Sequence, residues 1–128
     1  MAVYRTRMFN GSTKKLGISE AALKKAACEV ISGLFDADLG GGVIKKRVPL
    51  QLGKSGGART IVFFRSGSHL FYFDGWAKSA VSGKGAKEID DDELIACKKF
   101  AAVYLGYGEA ELSTLMASGL LFEVNDEY

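Results

Sequence analysis

Residues 59–76 read RTIVFFRSGSHLFYFDGW, and this stretch decides the fold. β-branched and aromatic residues dominate both of its ends, and Ser66–Gly67–Ser68 provides a tight turn between them. Such residues favour strands, and a short turn between two strands requires them to pair antiparallel. The stretch therefore predicts a β-hairpin with strands at about 59–65 and 69–76.

The elements on either side of this hairpin follow from similar patterns. VIKKRVPL at 43–50 predicts a third strand, which Pro49 ends or places at an edge. Three consecutive strands with short connections pair antiparallel. Hydrophobic spacing and capping residues predict the other elements: a strand at 2–9, helices at 19–33, 90–105 and 109–117, and a last strand at 120–124. We therefore expect one α+β domain over 1–128, a small antiparallel sheet with helices packed on one face and the order β-α-β-β-β-α-α-(β).

Composition excludes several classes of protein. The chain has 128 residues, of which 48% are hydrophobic, so it can bury a core of its own. It has no run of about 18 apolar residues, which a membrane span needs, and its N-terminus has no apolar signal segment. We therefore expect a cytoplasmic protein. Cys28, Cys97 and one histidine do not form a zinc-binding pattern, so we expect no metal and no cofactor.

Charge is distributed unevenly along the chain. Residues 1–87 contain 15 Lys and Arg against 5 Asp and Glu, whereas residues 88–128 contain 2 against 10. Such segregation favours a basic surface for a polyanion. The alternative is that the two parts mix on the folded surface and cancel.

Basic and aromatic residues alternate along the three predicted strands. Cations bind phosphates and rings stack on splayed bases, so this pattern suits single-stranded RNA. Tyr72 and Trp76 are the preferred stacking residues because each has a polar tip, whereas at least half of the strand phenylalanines are expected in the core. The predicted RNA-binding residues are Lys45, Lys46, Arg47, Arg65, Tyr72 and Trp76, together with Lys84 and Lys87 of the following loop.

The sequence contains no complete phosphate-binding loop and no evident catalytic group around its histidine. Gly53–Lys54–Ser55 ends like a phosphate-binding loop, but Val48 stands where its first glycine belongs, and a strand follows instead of a helix. His69 is the only histidine and has no evident catalytic partner, so we interpret it as a surface residue.

Four stretches resemble the RelE/HigB-like family of bacterial toxins. They are LGGGVIKKR at 39–47, GKSGGARTIV at 53–62, FYFDGWAK at 71–78 and IDDDEL at 89–94. The block at 53–62 is the most specific of them. The resemblance implies the toxin of a type II toxin–antitoxin pair, a metal-independent endoribonuclease that cuts mRNA, often on the ribosome. It also implies a cognate antitoxin, commonly of the helix-turn-helix type.

The resemblance implies catalytic roles for Lys54, Arg59 and Lys78. Cleavage by the RNA's own 2′-OH needs a base, a charge clamp and an acid. Clustered cations lower the pKa of a lysine, so Lys54 or Lys78 would transfer protons, while Arg59 would hold the phosphate. An acid–arginine pair found after the return strand in many members is missing from residues 79–87, where Lys84 or Lys87 would replace the arginine. Two alternatives remain open: a non-catalytic RNA- or antitoxin-binding module, and a ParE-like inhibitor of gyrase.

Overall fold

A computed structural model describes residues 1–50, 57–77 and 89–125. Within these ranges the elements follow one another as β1 (Val3–Thr6), α1 (Arg7–Thr13), α2 (Glu20–Ile31), β2 (Ala37–Gly40), β3 (Val43–Val48), β4 (Ala58–Phe63), β5 (Leu70–Ala77), α3 (Asp91–Leu105), α4 (Glu109–Ala117) and β6 (Leu121–Glu123).

These strands form one sheet in the order β2-β3-β4-β5-β1-β6. β2, β3, β4 and β5 pair antiparallel with their neighbours, β1 pairs parallel with β5, and β6 pairs antiparallel with β1. The α+β class and the antiparallel meander of β3, β4 and β5 are confirmed. The chain's first strand therefore lies beside its fifth, which a reading of consecutive elements does not reveal.

Helices cover both faces of the sheet, where the sequence predicted helices on one. On the first face, Phe9 of α1 and Leu23 and Val30 of α2 pack against Ile44 and Val62. On the second face, the core is formed by a different set of buried residues, chiefly Val43, Ile61, Phe63, Phe71, Phe73, Cys97, Ala101 and Leu112. Adjacent strand residues therefore enter opposite cores, which explains the continuous buried runs at 61–63 of β4 and 70–73 of β5.

The N-terminal strand is shorter than predicted. It ends at Thr6, whose Oγ1 accepts a hydrogen bond from the Phe9 N–H at 3.0 Å and so caps α1. Phe9 is buried, which anchors this helix to the first face. A hydroxyl cap and one buried ring thus turn part of the expected strand and the following polar segment into a helix. Ala37–Gly40 likewise forms a short strand, β2, which the sequence patterns did not predict.

The three predicted helices are confirmed with small changes at their ends. Ser19 caps α2 by accepting the Ala22 N–H at 3.0 Å, and Asp90 caps α3 by accepting the Glu93 N–H at 2.8 Å. The acidic first turn of α3 suits the positive end of the helix dipole. At the far end of α3, Gly42 has φ +84°, and a Cβ at this position would lie 2.6 Å from Leu105 Cδ1. A glycine here lets α3 pack closely over the turn into β3.

β5 contains an irregularity that changes which side chains share a face. Val62 of β4 pairs with Tyr72, but Ile61 pairs with Asp74, so Phe73 is an extra residue between them. Such a bulge interrupts the alternation of side chains along a strand. Tyr72 therefore points to the first face and Trp76 lies beside Arg59 on the second, whereas regular alternation along the strand would place both on one face.

Candidate nucleic-acid interface

A row of three side chains crosses β3, β4 and β5 on the second face of the sheet. Arg47 pairs with Arg59, and Arg59 pairs with Trp76. Directly opposite residues have Cβ atoms about 5 Å apart. Two guanidinium groups and an indole, separated by at least ten residues in the sequence, are therefore neighbours.

The adjacent row on the same face starts with Lys45. Lys45 pairs with Ile61, and Ile61 pairs with Asp74. We call Lys45, Arg47, Arg59 and Trp76 the basic patch. Arg47 is exposed and the other three are half-buried, so the patch lies where the second-face core meets solvent.

Like charges stand directly opposite each other in this patch. Arg47 and Arg59 pair directly across β3 and β4, so their side chains leave the same face of the sheet as neighbours. Each planar guanidinium can donate two hydrogen bonds to one phosphate. The arrangement therefore suits a phosphodiester group next to a base that rests on Trp76.

Asp36 is a residue of this region that sequence reasoning missed. Its carboxylate accepts the backbone N–H of Arg47, and its own N–H donates to the Lys45 carbonyl at 3.0 Å. These two bonds fix the backbone of β3 beneath both cations. The only sequence signal for a role of Asp36 is that it is an acidic residue in the strongly basic part of the chain.

Gly57 holds the entrance to β4 at the same end of the sheet. Its φ is +61°, and a Cβ would lie 2.7 Å from the Val48 carbonyl oxygen. This conformation and this close approach admit only glycine without strain. Part of the most specific sequence block therefore has a backbone reason: it brings Arg59 into register with Arg47.

Four of the predicted site residues lie outside the described residues: Lys54, Lys78, Lys84 and Lys87. The described strands nevertheless end together, because Val48 pairs with Ala58 and Ala58 pairs with Ala77. The chain thus leaves β3, re-enters at β4 and leaves β5 at one end of the sheet, next to the basic patch.

Tyr72 is not an RNA-stacking residue, contrary to the prediction. Its side chain is 0% exposed, and its hydroxyl donates a 2.6 Å hydrogen bond to the Leu23 carbonyl of α2. Burial raises the pKa of Tyr72 well above its ordinary value. A nucleic acid base cannot reach this ring, because α1 and α2 cover it.

Lys46 is also misplaced in the predicted RNA-binding set. It points to the first face, where its Nζ lies 3.0 Å from both the Leu34 carbonyl oxygen and Glu29 Oε1. Its side chain is 11% exposed. The ammonium group links β3 to α2, so it is not available to a ligand at the basic patch.

Arg65 and His69 lie at the other end of β4 and β5. Six residues separate Arg65 from Arg59, which corresponds to roughly 20 Å along a strand. The His69 ring accepts the Ala2 N–H at Nδ1 (2.9 Å) and lies 3.1 Å from Glu109 at Nε2. His69 therefore links the segment before β1 to α4. Arg65 is not brought to the basic patch.

Negative charge borders the buried part of the second face. Burial chiefly, and then the carboxylates of Asp74 and Glu93, raise the pKa of the Cys97 thiol.

The described residues contain no cluster of His, Cys, Asp or Glu side chains suited to a metal ion. None of the helices in the described ranges has the length and apolarity of a bilayer-spanning helix.

Comparison with known proteins gives one match. The family model for the RelE toxin of the RelE/RelB toxin–antitoxin system matches residues 1–124. Neither the curated proteins nor the solved structures gave a significant match.

Proposed function

The chain belongs to the RelE toxin family, and from this premise we propose that it is an endoribonuclease that cuts mRNA and thereby stops translation. Membership of the family supports the toxin role and implies a cognate antitoxin. We further propose that this antitoxin is of the helix-turn-helix type and that the toxin acts in the cytoplasm, where its mRNA substrate is engaged by ribosomes.

The Arg47–Arg59–Trp76 row is the observation that carries the proposal. Two cations and one partly exposed indole on neighbouring strands match the charge and the flat faces of single-stranded RNA. The same three residues would bind DNA phosphates equally well, so the choice of RNA rests on the family and on the aromatic component. Lys45 extends the patch by one more phosphate contact.

The proposed reaction needs no metal. The RNA's 2′-OH loses its proton to a basic group and attacks the adjacent phosphorus. A 2′,3′-cyclic phosphate forms, and the bond to the 5′-oxygen breaks as that oxygen gains a proton. The Arg59 guanidinium stabilises the extra negative charge on the phosphorus oxygens. Lys54 and Lys78 are proposed as the proton-transfer groups, and Lys84 or Lys87 as a further cation.

Induction of the gene in a bacterial host tests the proposal. We expect growth arrest within one generation, together with new mRNA 5′ ends in a fixed position relative to the reading frame. Codon-phased ends indicate cleavage on the ribosome, whereas unphased ends indicate cleavage of free RNA. Arrest without new ends would contradict the proposal and favour inhibition of gyrase. Absence of both arrest and cleavage would favour a non-catalytic binding module.

A further inference from the structure

A cavity on the first face of the sheet lies on the opposite side from the basic patch. Its walls come from β1, from α1 with the segment that follows it, and from the start of α2. Phe9 and Leu23 of the first-face core provide part of its apolar lining. Its polar lining includes Arg5, Asn10 and Lys14. We call it the Arg5 cavity.

Arg5 brings a guanidinium group to a largely buried position beside this cavity. In β1 it pairs with Tyr72, so its side chain lies on the first face of the sheet. The side chain is 26% exposed, and its Nη2 donates a 2.9 Å hydrogen bond to Glu20 Oε1. Its Nε is buried and has no acceptor within the described part of the chain. The guanidinium therefore has donor capacity that the Glu20 carboxylate does not use.

This incomplete pairing is unfavourable in a buried position. An N–H group that leaves water without gaining an acceptor has lost hydrogen-bonding energy, and native proteins contain few such groups. The Glu20 side chain is itself 39% exposed, so it compensates the buried charge of Arg5 only in part. A ligand that accepts hydrogen bonds from the guanidinium would remove the remaining cost. Beside a guanidinium and the ammonium group of Lys14, such a ligand is an anion.

The size and charge of the Arg5 cavity limit this anion to a small group. The cavity has a volume of about 230 Å³. Sites that enclose whole drug-sized ligands have roughly 300–1,000 Å³, so this one holds a single oxyanion group rather than a whole nucleotide. Among its described lining residues, Arg5 and Lys14 are cationic and none is acidic. Phosphate suits this lining because its oxygens accept several charge-assisted hydrogen bonds at once.

We propose that the Arg5 cavity binds a phosphate group, either as free phosphate or as the terminal phosphate of a small metabolite. Arg5 donates from its guanidinium, Lys14 supplies an ammonium group, and Asn10 supplies an amide donor. Glu20 competes with the ligand for Arg5, because both are anions that accept from the same guanidinium. The site is independent of RNA cleavage, since the basic patch lies on the other face of the sheet.

NMR titration of the isotope-labelled toxin with sodium phosphate tests this site. The Arg5 Nε–H signal and the backbone amide signals of α1 report binding at the cavity, and sodium chloride at equal ionic strength is the reference. We expect a dissociation constant on the order of 1 mM. Arg59→Ala should give the same constant, because it changes the basic patch and leaves the first face intact.

Substitutions around the cavity distinguish a phosphate site from a purely structural ion pair. Arg5→Gln should weaken binding at least about tenfold, and Lys14→Met about fivefold. Lys15→Met is the matched control, because Lys15 is the exposed neighbour of Lys14 and is not among the described residues that line the cavity. It should change binding less than about twofold. Glu20→Gln should tighten binding about threefold, since it neutralises the competing carboxylate.

The outcomes that would overturn the inference are equally specific. Chloride that shifts the same signals as far as phosphate, or equal dissociation constants for Lys14→Met and Lys15→Met, would indicate a general effect of charge. Weaker binding by Glu20→Gln would also overturn it, because a phosphate held by Arg5 must gain when its competitor is neutralised. Adenosine 5′-monophosphate distinguishes the two sources of the ligand: tighter binding than inorganic phosphate supports a terminal phosphate, and weaker binding supports free phosphate.

Discussion

The β4–β5 hairpin gives its two polar aromatic residues opposite positions. Tyr72 and Trp76 lie four residues apart on β5, and both have a flat ring with a polar tip. Tyr72 is sealed beneath α1 and α2 and uses its hydroxyl to bond the Leu23 carbonyl, whereas Trp76 is half-buried beside Arg59. Residue type therefore does not decide which ring reaches solvent, because the bulge at Phe73 places the two rings on opposite faces of the sheet.

The cations of β3 show the same division. Lys45 and Arg47 lie on the second face with the basic patch, while Lys46 between them is bound to Glu29 on the first. Polar groups on the first face of the sheet bond to helices, whereas the cations on the second face lie in the basic patch. Variants at matched positions on the two faces test this division.

The largest expected effect is on stability. Tyr72→Ala removes a fully buried ring and leaves the Leu23 carbonyl without its hydroxyl donor, so we expect a loss of about 3–5 kcal/mol in the free energy of unfolding. Trp76→Ala should lose roughly half of that or less, because its ring is already partly in water. Urea unfolding measures both. Equal losses would show that Trp76 is as much a core residue as Tyr72.

Arg59→Ala should reduce the rate of RNA cleavage about 100-fold, because it removes the proposed charge clamp on the phosphate. Arg65→Ala is the control, since it removes the same side chain from the other end of the same hairpin, and it should change the rate less than twofold. Single-turnover cleavage of a short RNA by the purified proteins provides the rates. A similar loss in both variants would indicate a general effect of positive charge and would contradict a site at Arg59.

Trp76→Ala should weaken binding of a single-stranded RNA about tenfold, the loss of one base stack of roughly 1–3 kcal/mol. Tyr72→Phe keeps the ring and removes the hydroxyl, so RNA affinity should stay within twofold while stability falls by about 1 kcal/mol. Fluorescence anisotropy of labelled RNA reports affinity. Trp76 is the only tryptophan, so quenching of its emission on RNA binding reports the stack directly. Unchanged emission at saturation would contradict stacking.

The smallest expected effect separates two neighbouring lysines. Lys45→Met should reduce the slope of log affinity against log salt concentration by about 0.7, the value for one phosphate contact with a single strand. Lys46→Met should leave the slope unchanged, because its ammonium group is occupied by Glu29 and the Leu34 carbonyl. Affinity measured at several salt concentrations gives both slopes. A reduced slope for Lys46→Met would place RNA on the first face.

Local patterns predicted much of the fold. Ser19 and Asp90 identified the starts of α2 and α3, and the two apolar runs around Ser66–Gly67–Ser68 identified the hairpin. These signals act over a few residues, since a cap bonds an N–H two or three positions away. The Arg47–Arg59–Trp76 row was predicted in part, because antiparallel pairing of the three strands brings their basic and aromatic residues together.

Long-range packing decided the rest. Regular alternation would place Tyr72 and Trp76 on one face of β5, but the extra residue Phe73 breaks that alternation, and its ring stacks on Phe63 in the second-face core. The strand pattern gives no sign of the ion pair between Lys46 and Glu29, because Glu29 lies seventeen residues earlier, on α2. Lys46 was therefore assigned to RNA binding. Arg65 was assigned to the same site because alternation places it on the same face of the strand as Arg59, although six positions of strand put it roughly 20 Å away.

The sequence by itself determined the α+β class, the β3–β5 meander, the main helices and the membership in the RelE family, because these depend on local propensities and on motifs that are contiguous in the chain. Only the tertiary structure decided that helices cover both faces, that β1 lies beside β5, and that Tyr72 is buried while Trp76 meets solvent. Each of these depends on which surfaces are buried by elements distant in sequence, and hydrophobic burial is non-directional, so no local pattern specifies its partner.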